Sequence, residues 1–233
     1  MKIKYLLFLE IFIFLLFGCG KHTVTNPNEG TFIDTRDQHK YNTVIIGDQT
    51  WMAENLAFLS AVSPFAEGSE TEPHYYVYDY EGRIVDLAKK TKNYITYGVL
   101  YNWTAAQTAC PSGWHLPADE EWKILETYLG MSQVDAYAEG WRDSGAIGTV
   151  LKTTSGWSND GSGSNTAGFA AHPGGYRHDD GGFSYLGDIA AFWSSTQTAD
   201  SLVWNRYLSH YDDGVYRIVY EQSYGFSVRC LQN

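Results

Sequence analysis

Apolar and polar positions alternate in short runs through most of the chain, and long amphipathic stretches are few. Thr31–Leu56 reads TFIDTRDQHKYNTVIIGDQTWMAENL. Tyr41–Ile46 is rich in β-formers, Gly47-Asp48 is a turn signal and Gln49–Met52 resumes the extended pattern, which predicts a β-hairpin. Residues 57–72 carry Ser, Pro, Gly and Glu and read as a loop. Pro73–Tyr80 is aromatic and extended, Glu81-Gly82 turns the chain, and Arg83–Leu87 is expected to pair back. Leu100–Thr108 reads as a short helix. The strongest helix follows Pro117. Asp119, Glu120 and Glu121 put acid at its N-terminus, where the macrodipole favours it. Trp122, Leu125, Tyr128 and Leu129 recur at helical spacing, and Gly130 ends the run.

After Arg142 the texture changes. Ser155–Asp188 is rich in Gly, Ser, Asn and Asp, a composition that suits disorder. Trp157, Phe169, Tyr176, Phe183 and Tyr185 punctuate it, which predicts long ordered loops packed by aromatic rings. Ala190–Ser195, Val203–Leu208, Val215–Tyr220 and Gly225–Cys230 read as closing strands. No linker composition interrupts residues 31–233, so they are read as one domain.

The apolar run nearest to spanning length stands at the start. Lys2 and Lys4 precede Tyr5–Phe17, which is apolar except for Glu10, and Gly18 and Cys19 follow. This is the layout of an export signal. Leu16-Phe17-Gly18-Cys19 resembles a bacterial lipobox, which implies a signal peptide at residues 1–18, cleavage before Cys19 and lipid on Cys19. Residues 19–30 then form a polar tether. The expected location is the cell envelope, with the domain exported and the lipid in a bacterial membrane, the outer one by preference.

Composition narrows the classes. With 8 Trp, 18 Tyr and 11 Phe in 233 residues, the chain has ample surface to bury, and wholesale disorder is excluded. A net charge of −11 repels phosphate, so nucleic acid is not an expected partner. With Cys19 assigned to lipid, Cys110 and Cys230 remain. In an oxidising compartment their pairing is the default, and the bridge would close a loop worth roughly 4–5 kcal/mol in chain entropy. A metal site and a catalytic thiol are the alternatives, although no Cys or His flanks the pair at zinc spacing.

Five ordered blocks carry a family resemblance: residues 31–56, YGVLYNWTAAQTACPSGWHLPADEEW, GFAAHPGGYR, FWSST and GFSVRC. Over residues 31–233 the chain resembles the Fibrobacter succinogenes major paralogous domain. That family is similar in turn to the C-type lectin-like fold and its formylglycine-generating members. The resemblance implies an α+β domain with a twisted antiparallel sheet, flanking helices and long ordered loops, and with termini drawn together. It also implies secretion or lipid anchoring. The formylglycine-generating relatives use a pair of cysteines near the C-terminus; only Cys230 stands there, so that chemistry is not expected.

Candidate chemistry concentrates in the second half. Glycoside hydrolysis needs two carboxylates at a set separation. The adjacent pairs Asp179-Asp180 and Asp212-Asp213 read instead as Asp-Asp-Gly turns, and Glu120-Glu121 as helix N-terminal acid. Asn159, Asp160, Ser162 and Asn165 place side-chain oxygens between glycines, the pattern of a loop that could hold calcium. Sugars stack on aromatic rings and hydrogen-bond to amides, carboxylates and guanidinium groups. Trp157, Tyr176, Arg177, His178, Asp179, Tyr185, Trp204, Asn205, Arg206, Tyr207 and Tyr211 are the candidates for such contacts. Trp114, Trp122 and Trp193 are assigned to the core. The expected function is non-catalytic binding of a polysaccharide or a surface protein. An assembly protein of the envelope is the first alternative, and a formylglycine-generating type of enzyme the second.

Overall fold

The computed structural model describes residues 29–233; the segment expected to be an export signal, Cys19 and most of the expected tether lie outside them. In chain order come β1 (Glu29–Ile33), β2 (Lys40–Ile46), β3 (Gln49–Met52), β4 (Tyr75–Tyr76), α1 (Val85–Ala88) and α2 (Lys92–Tyr97). Then follow β5 (Leu100–Tyr101), α3 (Trp103–Ala109), β6 (Trp114–His115), α4 (Asp119–Tyr128), α5 (Gln133–Tyr137), β7 (Gly140–Arg142) and α6 (Ile147–Leu151). The last third is β8 (Gly174–Arg177), β9 (Phe183–Leu186), β10 (Ile189–Gln197), β11 (Val203–Ser209), β12 (Val215–Tyr220), β13 (Phe226–Ser227) and β14 (Leu231–Gln232). The architecture is α+β, with short helices around two sheets.

The smaller sheet has the order β1-β2-β3-β14-β6 and is antiparallel throughout. The β2–β3 hairpin is the one expected, turning at Gly47 with φ 62°. The larger sheet runs β4-β5-β13-β10-β11-β12-β7, with β8 and β9 attached through β10. It is mixed rather than antiparallel. β8 meets β10 in parallel at Gly175–Ala190, and β13 meets it in parallel at Ser227–Phe192. At nine residues β10 is long enough to take one short strand beside each part of its edge.

Strands at the centre of this sheet are buried on both faces, so their apolar residues alternate between two cores. Ala191, Trp193, Val203, Tyr207 and Phe226 join one core with Tyr41, Tyr101 and Trp103. Ala190, Phe192, Leu208 and Val215 join the other with Trp51, Trp122 and Phe169. Trp114, Trp122 and Trp193 are all buried, as expected.

Two local expectations are corrected. Arg83–Leu87 does not pair back on β4; the chain enters α1 there, and β4 pairs with β5, whose Leu100 and Tyr101 are buried. A local turn signal could not name that distant partner. In α4, Trp122 and Leu125 are buried as predicted, but Tyr128 is exposed and Glu126 takes a fully buried place. Two arginines draw that carboxylate inward, as described below.

Cys110 and Cys230 form a disulfide with Cα atoms 5.9 Å apart. It ties the end of α3 to the segment that carries β14 into the smaller sheet between β3 and β6. The first and last strands of the described chain therefore share one sheet.

Candidate functional site

Strand alternation gives β11 and β12 two different faces. On the face towards α4, Asp119 and Glu126 meet three arginines from the strands. Arg206 bridges both acids, with Nη1 2.7 Å from Asp119 Oδ1 and Nε 2.6 Å from Glu126 Oε1. Arg142 closes on Glu126 at 2.6 Å and Arg217 on Asp119 at 2.7 Å. All five side chains are buried. Burial alone would raise the Asp119 carboxyl, but the hydrogen bond from Arg217 and the charge of Arg206 hold it well below the usual carboxylate range. Trp204 lies on this face, its ring 3.5 Å from the Arg217 guanidinium carbon.

The opposite face carries aromatic rings in register. Tyr207 of β11 pairs with Tyr216 of β12, and Tyr216 pairs with Trp141 of β7, so three rings stand side by side across three strands. Ring centroids are 6.1 Å apart for Tyr207–Tyr216 and 4.9 Å for Tyr216–Trp141. Tyr176 of β8 stacks on Tyr207 at 5.8 Å, and Tyr185 of β9 stacks on Tyr176 at 5.3 Å. Tyr211, in the turn after β11, packs against Trp141 at 5.7 Å. These rings line an open cleft of about 310 Å³ together with Ile189, Asp188 and His210. Its rims are accessible: Trp141 is 37% exposed, Tyr185 47% and Tyr211 67%. The polar pair sits at one place, with His210 Nδ1 3.6 Å from Asp188 Oδ1 and the His210 amide donating to the Asp188 carbonyl. Burial raises the Tyr176 and Tyr207 phenols, so both are neutral donors at neutral pH. A larger depression of about 540 Å³ between β1, β2 and the 165–170 loop is lined, among the described residues, by Glu29 and by Gly, Thr, Asn and Ala, without an aromatic ring.

The structure therefore gathers four of the expected contact residues, Tyr176, Tyr185, Tyr207 and Tyr211, at one cleft. His178 flanks its Tyr176–Tyr185 side with ring centroids 4.8 and 6.4 Å away, and Asp179 is exposed beyond it. The remaining candidates do not line the cleft. Trp157 is buried in the second core and donates to Thr153. Arg177 is fully buried, donating to the carbonyls of Phe65, His178 and Ser223 and lying over Tyr76. Asn205 is fully buried, and Arg206 belongs to the ion network. Trp141, Tyr216, Asp188, Ile189 and His210 were not singled out from the sequence. Only their register across separate strands makes them neighbours.

The two Asp-Asp-Gly segments are turns, as read. Asp180 accepts from the Gly182 amide and Asp212 from the Gly214 amide, each two residues on. In the loop proposed for calcium, Asn159 and Asp160 are exposed in left-handed conformations. Asn165 Oδ1 accepts from the Ala170 amide. The loop's glycines serve close packing: a β-carbon at Gly161 would collide with the His210 carbonyl, and one at Gly163 with the Thr149 carbonyl. Lys152 braces the same region, donating to the carbonyls of Ser209 and Asp212. Among the described residues no group of three or more His, Cys, Asp or Glu is placed to hold a metal. The loop itself offers one carboxylate, Asp160, against the six to eight oxygens calcium takes.

No curated protein and no solved structure matches the chain significantly. A family model, the Fibrobacter succinogenes major domain, matches residues 44–232, which include every residue of the aromatic cleft and both disulfide cysteines. The chain accordingly belongs to the Fibrobacter succinogenes major domain family.

Proposed function

We propose that this is a lipid-anchored envelope protein whose domain binds a polysaccharide without altering it, in the cleft between Trp141, Tyr185 and Tyr211. The observation that carries this reading is the row Tyr207–Tyr216–Trp141, continued by Tyr176 and Tyr185, beside the polar pair Asp188 and His210. Flat rings suit the C–H faces of sugars, and the phenols, carboxylate and imidazole suit their hydroxyls. Among the described residues, Asp188 is the one carboxylate lining the cleft and no Lys or Arg lines it, and the chain carries −11. Neutral or amino-bearing glycans are therefore favoured over uronic acid polymers.

A C-type lectin-like fold is part of the proposal. Support for it comes from the shared sheet of the first and last strands and from the Cys110–Cys230 bridge. That bridge, with Cys230 fully buried, favours binding over thiol chemistry of the formylglycine-generating type. A protein ligand is the second reading. It is favoured by exposed Ile124, Tyr128, Val134 and Tyr137 on α4 and α5.

The test is retention of residues 20–233 on insoluble polysaccharides and arrayed glycans, with calcium and with chelator. Selective retention on a neutral or amino glycan, lost in Trp141→Ala and Tyr185→Ala, is expected. Loss in chelator would add calcium to the site. A folded domain that ignores every glycan but co-purifies with one envelope protein would replace the first reading with the second.

A further inference from the structure

We propose that residues 83–95 form a membrane-contact face, which lays the domain against an anionic phospholipid bilayer. The segment holds α1, α2 and the bend between them. Its inner side is secured: Ala88 is fully buried, Val85 and Tyr94 pack on the core, and the Tyr94 hydroxyl donates to the Ala57 carbonyl. Its outer side presents Ile84, Leu87 and Ile95, which are 58%, 50% and 72% exposed. Interleaved with them stand Arg83, Lys89, Lys90 and Lys92 against one acid, Asp86. Four of the chain's 16 basic residues thus fall within thirteen positions of a molecule that carries −11. Arg83 pairs with Glu67, whereas Lys89, Lys90 and Lys92 make no ion pair with the described residues. Large aliphatic groups among unpaired lysines are the composition of a surface that sits at the lipid–water boundary. A protein partner would need an acidic, apolar counterpart, whereas an anionic bilayer supplies both properties at once.

The inference rests on the lipid-anchor reading for its geometry. Ten Cα–Cα steps lead from Cys19 to Glu29, and a chain of that length reaches at most about 36 Å. β1 begins at Glu29, and the turn after it brings His39 to the same cleft that Tyr94 and Ile95 line. Crossing β1 takes about 13 Å, so a lipid on Cys19 has length to spare to enter the bilayer beside this face.

The test uses the chain from Gly20 to Asn233, which carries no lipid and holds both cores and the disulfide. It is sedimented with phosphatidylcholine vesicles that contain or lack phosphatidylglycerol. Pelleting with the anionic vesicles only, reversed by salt, is expected. Lys89→Gln, Lys90→Gln and Lys92→Gln together should weaken partitioning by about fivefold per lysine, roughly a hundredfold in all. Leu87→Ser with Ile95→Ser should weaken it while leaving the salt dependence in place. Unchanged thermal unfolding shows that these surface variants remain folded. Equal pelleting with neutral and anionic vesicles, no pelleting, or variants that pellet like the parent would each overturn the proposal. The anchor reading is tested apart, by the mass of the exported full chain. An unmodified Cys19 would remove the anchor and leave the vesicle result standing.

Discussion

Candidate residues in the interior and at the cleft rim do opposite work. Arg206 sits between Asp119 and Glu126, both buried. Arg206→Ala leaves two interior carboxylates short of a partner, and a loss of about 3–5 kcal/mol is expected in chemical denaturation. Tyr211→Ala, at an exposed cleft rim, should change stability by no more than about 0.5 kcal/mol while reducing glycan retention. Acid should unfold the protein in two stages. Burial lowers His172, so the native state resists its protonation, and stability begins to fall as pH drops through the ordinary value of 6.5. Asp119 is depressed as well, by its arginine partners. Its contribution is full above 3.8 and is lost as pH falls from there towards its folded value. His172→Gln should flatten the first stage and Asp119→Asn the second in denaturation midpoints measured across pH. The arginine candidates were legible as residue types but not as roles. Guanidinium groups serve a ligand and a buried carboxylate equally well, and only burial separates the two.

Among the elements, α4 and the β2–β3 hairpin follow from local rules. Acid at the first turn, apolar spacing and a stopping glycine describe the helix; β-formers around Gly47-Asp48 describe the hairpin. The pairing of β4 with β5, and of β10 with β8 and β13, does not follow. Those strands are two to four residues long apart from β10, too short for pattern alone to name a partner. The 158–165 loop shows a packing role of glycine that its sequence does not reveal. Gly161 lets the loop backbone lie directly on His210. Gly161→Ala should cost about 1–3 kcal/mol by overpacking and should weaken retention as well, because His210 lines the cleft. Paired denaturation and pull-down measurements check both effects. Retention that survives a substantial loss of stability would show the loop to be irrelevant to the site.

For the molecule as a whole, the disulfide joins the middle of the chain to its last residues and sets the smaller sheet around β14. Replacing both Cys110 and Cys230 by Ser should lower the unfolding free energy by about 2–5 kcal/mol, read from the guanidinium midpoint. The domain's class, its strongest helix, its hairpin, its core tryptophans and the cysteine pair were all legible along the chain. Each depends on spacing over a few residues or, for the pair, on the count of cysteines left once Cys19 is set aside. The cleft was legible only in part. Tyr176, Tyr185, Tyr207 and Tyr211 stood out as aromatic residues in polar surroundings, but Trp141 and Tyr216 become their neighbours through strand register alone. A one-residue slip of β12 would turn Tyr216 towards α4 and bring Arg217 into the cleft. That register is held by the two cores and the buried ion network acting together, and no local stretch of sequence contains them.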